Sequence, residues 1–211
     1  MNKFNSKVNK QIKNIKKTIV KNNQNKILLV KLIILVLVFI VVLSIVFGLR
    51  ERFKNFIGNG IIENTGFINI NVITNSGIGF GALNDNTVLV YLLQSTVLII
   101  IFFTWLFNKK IDFLISFSLV MAGSFGNIID RATATTPIPA HAVLDYFQFW
   151  FGGAIFNFAD SAIVVGFIIL FFSIIVHFVI DWVHESREQK SSKKLTESFD
   201  IDDSSKIKEL S

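Results

Sequence analysis

The chain has 211 residues, a formal net charge of +6, 52% hydrophobic and 17% charged residues, and a mean hydropathy of +0.57. A soluble domain carries roughly 25% charge, so this composition excludes an ordinary soluble enzyme and marks an integral membrane protein. There are no cysteines, which excludes disulfides, thiol catalysis, Cys-based zinc sites and lipidation on Cys. The positive charge collects at the chain ends and in one short loop, so nucleic acid is not an expected partner.

Residues 1–26 form a basic arm with eight Lys and no acid. The arm suits contact with anionic membrane lipid. A first span is predicted over 27–49, with Lys31 near its start. It is longer than the ~7–15 residues of a signal-peptide apolar region, and no A-x-A site follows, so it reads as a retained anchor. The segment 50–87 holds "TNSGIGFG" (74–81). Its glycines lack the G-K-[ST] continuation of a nucleotide loop. A second, uncharged span is predicted over 88–107 and a third over 113–129, bounded by Asp112 and Asp130. Next comes a segment with the only two prolines, Pro137 and Pro139, which mark a loop. "VLDYFQFWFGG" (143–153) follows, an aromatic belt suited to a short interfacial helix or strand. A fourth span is predicted over 161–180, where no Asp, Glu, Lys or Arg occurs. The tail, 184–211, mixes acids and bases with little apolar content and is expected to be disordered.

Each span is long enough to cross ~30 Å of hydrocarbon. The arm, Lys109 and Lys110, and the tail hold sixteen basic residues, whereas the opposite side holds Arg50, Arg52, Lys54 and Arg131. By the positive-inside rule both termini are cytoplasmic. The expected fold is an all-α membrane protein. Its four-helix bundle carries a small outer loop region with room for β structure, and an interfacial segment. The domains are the arm (1–26), a four-span membrane domain (27–183) and the tail (184–211).

This topology gives the polar residues one address. Asn127 and Asp130 end the third span, Asn157 and Asp160 begin the fourth, and Asp145 and Asn75 sit on the outer segments between. The pattern N-x-x-D occurs twice, as "NIID" and "NFAD", and residues three apart share a helix face. Alone, Asn157 reads equally well as a helix N-cap, and Asp130 beside Arg131 as an interfacial ion pair. Acids at membrane depth are rare and usually functional, and three at one level outweigh these readings. The small residues Ala122, Gly123 and Gly126 suit close helix contact. His141, His177 and His184 are scattered, and no H-x-x-x-H pair exists, so no metal or other cofactor is expected. Ser76, Ser95 and Ser161 have no base placed to activate them.

At these residues the sequence resembles the lipoprotein signal peptidases (signal peptidase II), through "NSGIGFG" (75–81), "GSFGNIIDR" (123–131), "AVLDYF" (142–147) and "FNFADSAIVVG" (156–166). The resemblance covers about 27–183. It implies an aspartic endopeptidase that removes the signal peptide of diacylglyceryl-modified prolipoproteins just before the lipidated Cys. Its catalytic pair falls on Asp145 and Asp160. Asn75, Asn127, Arg131 and Asn157 match positions that support the site or contact substrate, and Asp130 matches a structural acid. The partners implied are prolipoproteins and membrane lipid, with the enzyme a monomer in the cell membrane and its site at the outer face. Two features depart from the family. Its usual Asp-Gln pair at the end of the first span is absent from "SIVFGLRERFK", and the link between Arg131 and Asp145 is long. Two other classes fit the residues less well: a small transporter or an ion or proton channel, and a non-catalytic assembly partner. A relay would place ionisable groups at mid-depth, where only Gln94, Ser95 and Thr96 approach that role.

Overall fold

A computed structural model describes the backbone of residues 2–78, 82–83 and 86–209, with side chains within 25–190. Its elements are α1 (Asn2–Phe53), β1 (Ile61–Asn64), β2 (Ile68–Asn75), α2 (Thr87–Phe107), α3 (Ile111–Ala132), β3 (Val143–Phe149), β4 (Ile155–Phe156) and α4 (Phe158–Glu209). Among the described residues, four helical stretches are long and apolar enough to cross a membrane: Asn25–Phe56, Thr87–Phe107, Ile111–Ala132 and Phe158–Lys190. Their number matches the four predicted spans. A helix satisfies its own backbone groups, which is why apolar runs of this length become helices in lipid.

The helices divide the work unequally. In α3, 61% of the most apolar stretch is buried within the protein, against 11%, 6% and 11% in the other three spans. The small and polar residues of α3 explain this. Ser116, Ser118, Ala122, Gly123, Ser124 and Gly126 are short enough for neighbours to close on them. Gly123 allows the closest approach, since a Cβ there would lie 2.4 Å from the Ala159 carbonyl oxygen. Val42 and Val46 of α1 pack with Ala122, Ala159 and Ala162. On another face, Trp105 of α2 packs with Leu114, Phe117 and Met121.

The four strands form one antiparallel sheet in the order β1-β2-β3-β4. The β1–β2 turn is set by Asn64, whose side chain accepts from the Gly66 N–H at 2.7 Å, and by Gly66 at φ +89°. This local geometry requires glycine. One side of the sheet packs Ile70, Val72, Leu144 and Tyr146 against Phe53 at the end of α1. Ile138 and Ala142 join that cluster, so the long link after α3 is anchored by buried side chains.

Contacts divide the chain at Leu170. Residues 1–170 hold the sheet and all of the polar cluster, and 171–211 continue α4 as helix to Glu209. The sequence reading expects disorder over 184–211, whereas the backbone described there is helix as far as Glu209. Glu, Lys, Gln and Leu are good helix formers, and the chain enters the tail from an existing helix, so only propagation is required.

Candidate active site

Each polar side chain is delivered by an element whose local sequence fixes it. Asn157 is the residue before α4. Its Oδ1 accepts from the Asp160 backbone N–H at 2.9 Å, and Asp160 Oδ2 accepts from the Asn157 backbone N–H at 3.2 Å. This is a reciprocal capping box, with Asn and Asp in place of the usual Ser/Thr and Glu. The N-cap reading is therefore borne out, and the same cap is what aims the carboxamide. With Oδ1 spent on the backbone, Asn157 Nδ2 points inward. It donates to Asp145 Oδ1 at 2.9 Å and to Asn127 Oδ1 at 3.0 Å. Asn127, thus oriented, donates from Nδ2 to Asp160 Oδ1 at 2.8 Å.

The other carboxylate is held by the same logic on the sheet. Asp145 of β3 lies opposite Ile73 of β2, and Asn75 is its diagonal neighbour on the same face. Asn75 Oδ1 accepts from the Gly77 N–H at 2.9 Å, which turns Nδ2 toward Asp145 Oδ2, also at 2.9 Å. Every carboxylate oxygen of the two acids thus accepts one hydrogen bond, and each oxygen keeps a lone pair free for a proton or a water. The two acids are joined through Asn157 and Asn127 and line one cavity of about 530 Å³. Arg131, Asn75, Asn127 and Gln94 share its polar part, and Phe149, Phe156, Ile163 and Val164 its apolar part. Mixed walls of this kind suit a ligand with both peptide and hydrocarbon portions.

Asp145 is 1% exposed. Burial first, and then the Asp160 carboxylate, push its pKa up to about 7, against the opposing pull of Asn75, Asn157 and Arg131. It is poised to hold or release a proton near neutrality.

Arg131, 2% exposed, does not pair with Asp130. Nη1 donates to the carbonyls of Asn75 (3.2 Å), Ser76 (3.0 Å) and His141 (3.1 Å), and Nη2 to that of Gly77. One guanidinium therefore ties the end of β2 to the link before β3, beside both acids. Asp130 lies instead 2.9 Å from Arg50 Nη1, and its Oδ2 accepts from the Leu144 N–H at 3.3 Å. Arg50 also donates to Thr133 Oγ1 and O, both at 2.9 Å. The ion pair expected between Asp130 and Arg131 is thus replaced by one with Arg50, since adjacent helical residues point about 100° apart. The two N-x-x-D repeats part company in the same way. In "NFAD" the pair bonds to itself, whereas Asn127 of "NIID" turns to Asp160.

The structure brings together Asn75, Asn127, Arg131, Asp145, Asn157 and Asp160, and sets Asp130 behind them against the β3 backbone. Gly79 and Gly81 of the first motif lie outside the described residues. Sequence reading missed two supports. Arg50 counted only as an outer charge, although it is 9% exposed. Tyr146 counted only as part of the aromatic belt, although its hydroxyl accepts from the Phe158 N–H at 3.0 Å. That bond fastens the start of α4 to β3, and so Asp160 to Asp145. Burial raises the Tyr146 pKa, which keeps the phenol neutral. Alternation along β3 was the available signal, since it sends Tyr146 to the face opposite Asp145.

The fold and site define a class: a multi-pass membrane protein with a pair of carboxylates, Asp145 buried and Asp160 half-buried, under carboxamide control. Two solved structures described as bacterial membrane enzymes determined by the in meso method, at 2.3 and 1.9 Å resolution, share the fold. The TM-scores are 0.59 and 0.54 and the identities 23% and 25%. They cover 67% and 69% of this chain and 87% and 92% of those chains. The family model described as signal peptidase (SPase) II matches residues 45–176. The chain is 40% identical over 174 residues to the lipoprotein signal peptidase of Mycoplasmoides gallisepticum (81% of this chain, 57% of that one). To that of Mycoplasma genitalium it is 36% identical over 174 residues (82% and 94%). It therefore spans little more than half of the first relative and nearly all of the second. The chain belongs to the signal peptidase II family.

Proposed function

We propose that this protein is an intramembrane aspartic endopeptidase that removes signal peptides from diacylglyceryl-modified prolipoproteins, cutting before the lipidated Cys. The observation that carries the reading is the bridged pair Asp145 and Asp160, lining one cavity with Asn75, Asn127 and Asn157 aimed at their oxygens. The reading also places both termini in the cytoplasm and the site at the outer face, where a signal-peptide helix would present its cleavage site.

Two carboxyls this close in coupling cannot both ionise cheaply, so one proton is shared across the pair. The ionised carboxylate takes a proton from a water, and the oxygen of that water adds to the scissile carbonyl carbon. The protonated carboxyl donates to the carbonyl oxygen. The C–N bond then breaks, the amine leaves with a proton from the first carboxyl, and the carbonyl reforms by returning its proton to the second. Water is consumed and the pair ends as it began. Arg131 beside the acids, held on four carbonyls, favours the singly ionised pair. The apolar walls exclude bulk water and accept the acyl chains of the substrate.

The test is incubation of the purified chain with a diacylglyceryl-modified prolipoprotein and with its unmodified form, with products identified by mass. The expected result is a mature product that begins at the lipidated Cys, from the modified substrate alone. Products cut elsewhere, or no products from a folded enzyme, would refute the reading.

A further inference from the structure

One polar side chain in the cavity wall has a buried oxygen with no hydrogen-bond partner. Gln94 lies seven residues into α2, roughly 10 Å along the helix from Thr87 at 1.5 Å per residue. It lines the cavity shared by Asp145 and Asp160. Its Oε1 is buried and has no hydrogen-bond partner. Among the described residues lining the cavity it is the one buried side-chain oxygen without a donor. An orphaned buried acceptor destabilises the free protein. The residues three and four positions from Gln94 on α2 are Val90, Tyr91, Val97 and Leu98, and an apolar side chain in its place would remove the orphan.

We propose that Gln94 is a substrate-binding residue whose Oε1 accepts a hydrogen bond from a main-chain N–H of the peptide in the cavity. The inference rests on the peptidase reading. A peptide bond can meet a water and two carboxyls only where its segment has left the helix, which frees backbone N–H groups at membrane depth. Those donors need an acceptor. Acyl esters carry no N–H or O–H, so the lipid part of a substrate cannot satisfy Gln94 Oε1, whereas a peptide N–H can. The other amides of the site are committed: Asn75 and Asn127 in the cavity wall, and Asn157 behind it, each spend Oδ1 on an N–H of the protein. Arg131 offers donors only. An oxygen left without a donor in the free enzyme is therefore matched to the one group that an unwound substrate must bring.

The test uses the full chain with Gln94→Met and Gln94→Leu, measuring thermal unfolding without substrate and cleavage of a diacylglyceryl-modified prolipoprotein. The expected result is an unfolding temperature equal to or above that of the parent in at least one variant. KM for that variant should rise about 10- to 100-fold, as for loss of a buried hydrogen bond, with kcat and its pH profile little changed. Parental kinetics in both variants would overturn the inference while leaving the peptidase reading intact. So would an unfolding temperature several degrees lower in both, since Gln94 would then be partnered in the free protein. A fall in kcat with a displaced pH profile would overturn it by moving Gln94 into the proton chemistry. No cleavage by the parent would instead refute the peptidase reading beneath it.

Discussion

Asp145→Asn is expected to lower stability in acid, near pH 4, and to raise it in alkali, near pH 9. Burial and the Asp160 carboxylate raise the Asp145 pKa from 3.8 to about 7. Between those values the folded protein keeps a proton that the unfolded chain releases. Stability from this group is therefore fully present below about pH 4 and lost as the pH rises through about 7. At 1.36 kcal/mol per tenfold, the amount lost is about 4 kcal/mol. Asparagine removes that titration, but it cannot accept from both Asn75 and Asn157, because its own NH2 must face one of their NH2 groups. That mismatch costs about 1 kcal/mol at every pH. The variant is expected to be less stable than the parent by about 1 kcal/mol near pH 4 and more stable by about 3 kcal/mol near pH 9. Thermal unfolding of both proteins in the same detergent across that range is the assay. A difference that keeps one sign, or does not vary with pH, would refute the proton assignment.

Further substitutions probe the supports. Gly123→Ala puts a methyl 2.4 Å from the Ala159 carbonyl oxygen and 2.8 Å from Ile163 Cγ1. It should cost about 1–3 kcal/mol by overpacking. Gly126→Ala, whose nearest contact is 3.4 Å, should be nearly neutral in the same unfolding measurement. Arg50→Ala leaves the buried Asp130 carboxylate without its ion-pair partner, which should cost about 3–5 kcal/mol. Adding Asp130→Ala should return part of that loss, and strictly additive effects in a double-mutant cycle would contradict the pairing. Arg131→Lys keeps the charge but cannot span the carbonyls of Asn75, Ser76, Gly77 and His141. Initial rates of prolipoprotein cleavage should fall about tenfold or more, as Asn75 loses its fixed backbone.

The sequence made the spans plain, because runs such as Ser161–Ile180 leave no arrangement in lipid except a helix. The candidate site residues stood out for a related reason: carboxylates and carboxamides at one end of such runs have few structural excuses. The sheet was less visible. Its strands are short, and β2 carries an irregular register between Ile70 and Ile73 that breaks the alternation. Long-range partners were not legible at all. Nothing near Asp130 announces Arg50, eighty residues earlier, while the adjacent Arg131 invites a pairing that helix geometry disfavours. The amide orientations of Asn75 and Asn157 follow from backbone N–H groups two and three residues on. That much was readable as capping, but which carboxylate each amide would face depended on the packing of α3 against α4 and β3.

The central claim is that Asp145 and Asp160 together perform the cleavage. The most direct measurement is the rate of cutting of a diacylglyceryl-modified prolipoprotein by the purified parent and by Asp145→Asn and Asp160→Asn, each shown to be folded by its unfolding transition. The account requires cleavage by the parent and loss of at least about 10³-fold in each variant, as when one member of a catalytic unit is removed. Full activity in either folded variant would contradict it.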